Sequence, residues 1–438
     1  MEEERKAVGK RRFFKDSALE WKWMLYDVGN SAFTLLASVI LPIYFSYLAG
    51  QSGVDETSAS TIWSFAASGI TLTLAVLSPI LGTFSDYRGF KRPLFFLTAI
   101  LGILGCFLFA VPMPYIAFLI VFVFAKIFYS VSLVFYDSML SDVTSLEKAD
   151  DISSKGYAFG YIGSCIPFLI SILLIVVLPI DTAVSMPIAF AINALWWLGF
   201  TIPLAISYRQ KHYVERERHA LRNNFRRLFH VLGRKKDIPN RKGILLFLVA
   251  FFFYIDGVYS IIDMATSFGT ALGFDSTSLI LALLVTQVVA FPAAIAYGKL
   301  AKKIPSDVLI FVGILAYTAI GLFAIFLTQV WQFWILAVGV GLFQGGVQSL
   351  SRSYFAKIIP SEESGCLFGI LDIFGKGASF LGTMLFGIVT HFTDDVNLGV
   401  IPIACLFVFG IVFFLLAAKE NRRFDFSAKE GDGGTPTD

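Results

Sequence analysis

Apolar stretches alternate with short polar connections along almost all of this 438-residue chain. A helix needs about 20 apolar residues to cross a ~30 Å hydrocarbon layer. On that measure spans are predicted to begin near Trp23, Ala59, Pro93, Tyr115, Lys155, Met186, Ile244, Ser278, Asp307, Trp331, Cys366 and Gly399. Twelve crossings return both ends of the chain to one side of the membrane. The expected class is an all-α membrane protein.

The basic residues fix how that chain is threaded. None of its thirty-five Lys and Arg residues falls in an odd-numbered connection. Apart from Lys126 and Lys376, which lie inside spans, they occupy the N-terminal arm, the even connections (Arg88, Lys91, Arg92, Lys148, the block from Arg209 to Lys242, Lys302, Lys303, Lys357) and the tail. Basic residues near span ends are retained on the cytoplasmic side, so both termini and the even connections are expected there. This gives a cytoplasmic arm at 1–22, a six-helix bundle at 23–207, a basic linker at 208–243, a second six-helix bundle at 244–418 and a disordered cytoplasmic tail at 419–438.

Composition sharpens the picture only in part. With 56% hydrophobic and 15% charged residues the chain is excluded from the soluble globular class. The net charge of +3 conceals a strong spatial polarity that marks orientation, and no nucleic-acid partner is expected. The arm runs straight into a full-length span, so no cleavable signal peptide is expected, and the lack of organelle-targeting signals points to a bacterial inner membrane. Cys106, Cys165, Cys366 and Cys405 lack metal-ligand spacing and read as packing residues. No metal or cofactor is expected, with protons as the one coupling species considered, and the protein is expected to be monomeric.

The two halves echo each other. Tyr26-Asp27-Val28-Gly29 in the first span parallels Tyr254-Ile255-Asp256-Gly257 in the seventh, and Gly156 to Gly160 in the fifth parallels Gly365 to Gly369 in the eleventh. Repeats with parallel topology are an architecture of secondary transporters, whose site lies between the halves near mid-membrane. In the linker, Leu221, Phe225, Leu228, Phe229 and Leu232 recur at helical spacing among Arg222, Arg226, Arg227 and Arg234. This predicts an amphipathic helix, either lying on anionic lipid headgroups of the inner leaflet or packed on the protein.

Five carboxylates and two ammonium groups interrupt the spans: Asp27, Lys126, Asp137, Asp256, Asp263, Asp372 and Lys376. Each costs ~2.5 to 3.5 kcal/mol at a span centre, so a bundle interior or aqueous cavity and a partner are expected. Helical spacing collects polar stripes on the first span (Asp27, Asn30, Thr34), the fourth (Lys126, Tyr129, Asp137), the seventh (Asp256, Tyr259, Asp263) and the tenth (Gln344, Gln348, Arg352). Four such faces meeting at one axis would form a water-filled cavity. Asp256, mid-span with no basic residue on its own helix, is expected to confront Lys126 across it. Asn30, Tyr259, Asp263, Gln344, Gln348 and Asp27 are candidate substrate groups, and Asp27 and Asp137, near the cytoplasmic ends, are as well placed to gate or cap as to contact substrate. Asp372 and Lys376 stand i to i+4, the spacing of a local ion pair.

Gly82-Thr-Phe-Ser-Asp86-Tyr-Arg88-Gly89-Phe-Lys91-Arg92, after the second span, resembles the loop signature of the major facilitator superfamily. The second-half counterpart keeps Gly298 but has Lys302 where the acid would stand. The resemblance implies the major facilitator fold and a gating role for Asp86, Arg88, Gly89 and Arg92 beside Asp137 and Arg352, with Asp86 latching the start of the eleventh helix. A narrower resemblance rests on Trp23 to Phe33, Tyr254 to Val258, Gln344 to Ser353 and Phe368 to Lys376, which look like the vacuole-effluxer-like branch related to fungal autophagy-associated vacuolar amino-acid exporters. It implies a transporter of a small polar solute, an amino acid among the candidates, working by alternating access. An intramembrane enzyme is disfavoured because all four His residues lie outside the spans and no His-Glu-x-x-His, Gly-x-Ser-x-Gly or phosphate-loop pattern occurs. A receptor or lipid-handling protein on the same scaffold remains the alternative.

Overall fold

The computed structural model describes residues 16–178, 180–215 and 240–423, with the side chains of 176, 177, 276 and 376–380 left aside. The linker helix expected over 221–232 and the tail beyond 423 lie outside the described residues.

Twelve long helices follow one another. They are α1 (Ala18–Gln51), α2 (Glu56–Ser85), α3 (Lys91–Leu108), α4 (Tyr115–Ser138), α5 (Ala149–Ile172) and α6 (Thr182–Ser207), then α7 (Arg241–Ala271), α8 (Ser276–Leu300), α9 (Ser306–Ala324), α10 (Val330–Ile358), α11 (Ser364–Thr393) and α12 (Ile401–Arg422). Among the described residues, eleven helices are long and apolar enough to cross a membrane, and α11 is the twelfth, with 30 residues. Two wide π turns interrupt the first half, Leu36–Ile40 within α1 and Leu173–Val177 at the end of α5.

The helices outrun their apolar cores because polar caps start them early. Ser17 accepts from the Glu20 amide while Glu20 accepts from the Ser17 amide, so α1 begins inside the stretch read as an arm. Likewise α7 begins at Arg241, within the stretch read as linker, and α12 ends at Arg422, beyond the apolar run. One repeat escaped the sequence pattern. Gly53 and Gly273 both take positive φ, 80° and 82°, and each is followed two residues later by an Asp, Asp55 or Asp275, that caps the next helix.

Each six-helix half packs as a bundle, α1 on α5 and α6, and α7 on α11 and α12. The halves meet along α2 with α11, and along α5 with α8 and α10. The α2–α11 approach depends on absent side chains. A Cβ on Gly82 would lie 2.2 Å from the Gly365 carbonyl oxygen, and one on Gly369 would lie 2.5 Å from the Ser78 oxygen.

Candidate functional site

Arg352 on α10 reaches out of its own half into a pocket built by the other. Trp23 and Tyr136 stack at 4.5 Å, and the Arg352 guanidinium sits 4.6 Å and 5.5 Å from their rings and 4.4 Å from that of Tyr157. It pairs with Asp137 at 3.0 Å and Asp27 at 3.4 Å and donates to the Ser153 hydroxyl and carbonyl. Tyr136 in turn donates to Asp27 at 2.7 Å. Every charge in this cluster is met, which is what a buried guanidinium requires, and desolvated ring contacts add about 2 kcal/mol or more. Asn30 donates to the Tyr26 carbonyl and to Asp27, so it supports the latch and is buried away from the cavity.

Below the latch, on the face carrying the even connections, a second layer closes the seam. Both oxygens of Asp86 accept backbone amides at the start of α11, Gly365 at 2.7 Å and Cys366 at 2.9 Å, where the helix dipole favours a carboxylate. Lys91 crosses to Ser364 at 2.9 Å. Asp150 accepts from Ser306, Ser353 and Lys357, all on the second half, and Ser153 donates to the Ser349 carbonyl. Lys302, standing where the second-half loop lacks its acid, pairs with Asp151 at 3.0 Å. The remaining loop residues do something else. Arg92 donates to the Ala205 and Ile206 carbonyls at the end of α6, Arg88 pairs with exposed Glu215, and Gly89, at φ 78°, donates its amide to the Gln210 side-chain oxygen. They therefore brace the first half internally, and Lys91 is the basic residue that reaches across.

The segment after α6 is strapped into this layer. Val214 exchanges backbone hydrogen bonds with Asp86 and Arg88. Asp142 accepts from the amides of Lys211 and His212, meets the His212 ring at 2.9 Å and the Tyr208 hydroxyl, and pairs with Lys91 at 3.6 Å. Burial works against its charge, but the Lys91 ammonium and the His212 and Tyr208 hydrogen bonds outweigh it and hold the carboxyl down at about 2. Against an unfolded value near 3.9, the depressed value contributes about 2–3 kcal/mol at neutral pH, and this is lost as pH falls through about 4 towards 2. Asp142→Asn is therefore expected to lower the melting temperature at pH 7, with the deficit shrinking as pH drops from 5 towards 2. A deficit that stays constant over that range would remove the charge from the explanation.

Above the latch the halves part around a polar cleft. Lys126 on α4 lies over the Tyr129 ring at 5.2 Å and within electrostatic reach of Asp263 on α7. Thr34 and Asp263 are exposed, Ser38 and Ser267 beyond them are exposed too, and Thr34 shares a 2.6 Å hydrogen bond with Tyr129. Tyr259 stands in the field of Asp137, Asp372 and Asp263. At the floor, Ser78 donates to Asp372 at 2.7 Å and Tyr161 to Gln348 at 2.7 Å, both across the seam. The side chain of Lys376 is outside the described residues, and Asp372 is turned to Ser78 of the other half.

Asp256 does not face Lys126. It is fully buried against α11, where Gly382 donates its amide at 3.0 Å and Ser260 its hydroxyl at 3.2 Å, while Oδ2 has no hydrogen-bond partner among the described residues. A Cβ on Gly382 would lie 2.1 Å from the Ser260 oxygen, so this glycine creates the room. Gln344 is 2% exposed and turned into its own half. Sequence reasoning missed the Trp23, Tyr136 and Tyr157 cage, Lys91, Asp142 and Asp150. The signal available for two members of the cage was an aromatic residue near a stripe carboxylate, Trp23 one turn before Asp27 and Tyr136 next to Asp137. Among the described residues no group of three or more His, Cys, Asp or Glu is placed to hold a metal ion.

Comparison with known proteins fits this geometry. Residues 141–426 match the family described as "Vacuole effluxer Atg22 like". The chain is 37% identical over 430 residues to the MFS-type transporter YxiO of Bacillus subtilis, covering 96% of this chain and 99% of that protein. It is 25% identical over 307 residues to autophagy-related protein 22-1 of Aspergillus fumigatus, covering 64% of this chain but only 50% of that longer protein. In three dimensions it resembles FucP, a major facilitator transporter crystallised in the outward conformation, with a TM-score of 0.69 at 13% identity over 91% of this chain and 97% of FucP. An outward-facing bacterial homologue of the iron transporter ferroportin gives the same TM-score over 92% and 98%. YxiO and FucP are transporters, not enzymes, and the chain belongs to the Atg22-like vacuole effluxer family of the major facilitator superfamily.

Proposed function

We propose that the protein carries a small polar solute by alternating access and that the structure is its outward-facing state. The observation that carries this reading is one fixed cation, Lys126, opposed from the other half to one fixed anion, Asp263, in a cleft closed beneath by Arg352. A zwitterion satisfies both poles at once, which favours an amino acid. Asp256, whose Oδ2 has no hydrogen-bond partner among the described residues, is the carboxylate assigned to proton coupling. The basic face is taken as cytoplasmic by the rule of retained positive charge, in a bacterial inner membrane, with a monomer as the working unit and anionic lipids beneath the basic linker.

Proteoliposome uptake of a radiolabelled amino-acid panel, with and without an imposed pH gradient, tests this. Wild type is expected to move at least one member saturably. Lys126→Met and Asp263→Asn are each expected to cut flux at least tenfold, and Asp256→Asn to abolish the response to the gradient while sparing counterflow. Zwitterion flux untouched by either cleft substitution would refute the site, and an absence of flux for the entire panel would shift support to the receptor or lipid-handling reading.

A further inference from the structure

The second half holds a cavity of its own, separate from the cleft between the halves. It lies inside the bundle, among α7, α8, α9 and α10 with the ends of α11 and α12, and holds ≈ 90 Å³ of internal space that continues into a pocket partly open to solvent. Its walls are apolar, with Met264, Phe268, Ile320, Phe333, Leu336 and Ile403 prominent, and among the described residues no charged side chain lines it.

Four polar side chains do line it, and they divide into two kinds. Ser260 donates to Asp256, and Thr286 donates to the Ala282 and Ala337 carbonyls, so both are already committed. Gln344 and Gln287 are not. Among the described residues, Gln344 Nε2 is a buried donor with no acceptor, and Gln287 Oε1 a buried acceptor with no donor. The two amides stand at the same depth on neighbouring helices, because a Cβ on Gly341 would lie 2.7 Å from the Thr286 oxygen and one on Gly345 3.5 Å from the Ala290 oxygen. Leaving a buried polar atom unmet costs about 1–3 kcal/mol, and native structures rarely leave two together without a partner to come.

We propose that this cavity is a binding site for an uncharged amphiphile. The ligand has a head that accepts from Gln344 and donates to Gln287, and an apolar tail of medium length running along Met264, Phe268 and Phe333. A primary amide or an alcohol meets these terms. An ionised acid or amine does not, since no countercharge lines the walls and desolvating an ion costs several kcal/mol. A plain hydrocarbon leaves both amides unmet. The site differs in kind from the charged cleft around Lys126 and Asp263.

Equilibrium binding of tritiated octanamide to the full-length protein in lipid nanodiscs tests the assignment, with empty nanodiscs subtracted. Saturable binding of one molecule per protein is expected. Ala337→Phe, which fills the cavity, should abolish it, and Ala265→Ile serves the same purpose should the first variant fail to fold. Gln344→Leu should weaken octanamide about tenfold, the worth of one buried hydrogen bond, and octanoate at pH 8 should compete at least 100-fold more weakly than octanamide. Uptake no greater than empty nanodiscs, binding that survives a folded cavity-filled variant, equal competition by octanoate, or indifference to Gln344→Leu would each overturn the proposal.

Discussion

Arg352→Leu opens the sealed face, and solute flux falls with it. The substitution leaves Asp27 and Asp137 in their cage with no countercharge, and breaking a buried ion cluster by removing one partner costs about 3–5 kcal/mol. Taking a two-state equilibrium from 99:1 to 1:99 requires about 5.5 kcal/mol, so roughly half of that brings a sealed population to parity. The chain carries its own reporter. Cys366 is 1% exposed and donates its amide to Asp86 at the seam. In a Cys405→Ser background, which removes the exposed thiol, labelling of Cys366 by a membrane-impermeant reagent is expected to rise at least tenfold in Arg352→Leu. Adding Asp27→Asn and Asp137→Asn should restore much of the protection, because no charge is then left unpaired. Unchanged labelling in a folded Arg352→Leu protein would strip the residue of its latch role.

Gly82→Val halts the cycle by a different route. Its Cβ would sit 2.2 Å from the Gly365 carbonyl oxygen and 2.9 Å from the carbon behind it. The obstacle is main chain, so no rotamer change relieves it, and α2 and α11 must separate. Flux is expected to drop below about 1% of wild type, with Cys366 exposed as in the latch variant and thermal stability of the separate bundles largely kept. Gly69→Ala is the matched control, since nothing lies within 4 Å of its Cβ and helical Gly→Ala gains about 0.5–1 kcal/mol. Normal flux in Gly82→Val would mean that this close approach is not needed for turnover.

The architecture was readable in the chain because membrane insertion imposes two one-dimensional rules, apolar length and the placement of Lys and Arg. Neither rule depends on which residues touch. Pairing across the seam does, and there the sequence was less informative. Arg352 lies 325 residues from Asp27 along the chain, and its stripe on α10 marked it as polar without saying what it would meet. Asp256 and Asp263 show the limit more sharply. Seven residues apart, they share one helical face, yet about 10 Å of rise separates them. At the level of Asp256, α7 is pressed on α11 around Gly382, whereas at the level of Asp263 the halves have parted. Period reports azimuth, and depth decided which carboxylate lies within electrostatic reach of Lys126. The loop signature anticipated the place of Asp86 at the start of α11 but gave Lys91 no partner, because only the fold brings Ser364 beside that ammonium.

The opposed poles of the cleft have an electrical consequence. One ammonium and one carboxylate sum to zero, so the pair itself adds no net charge to whatever it holds. A cargo that is neutral overall then moves no charge of its own through the transmembrane voltage, and a proton carried with it would be the charge that feels the field. Each further elementary charge on the cargo would meet a push or a brake of about 2.3 kcal/mol per 100 mV.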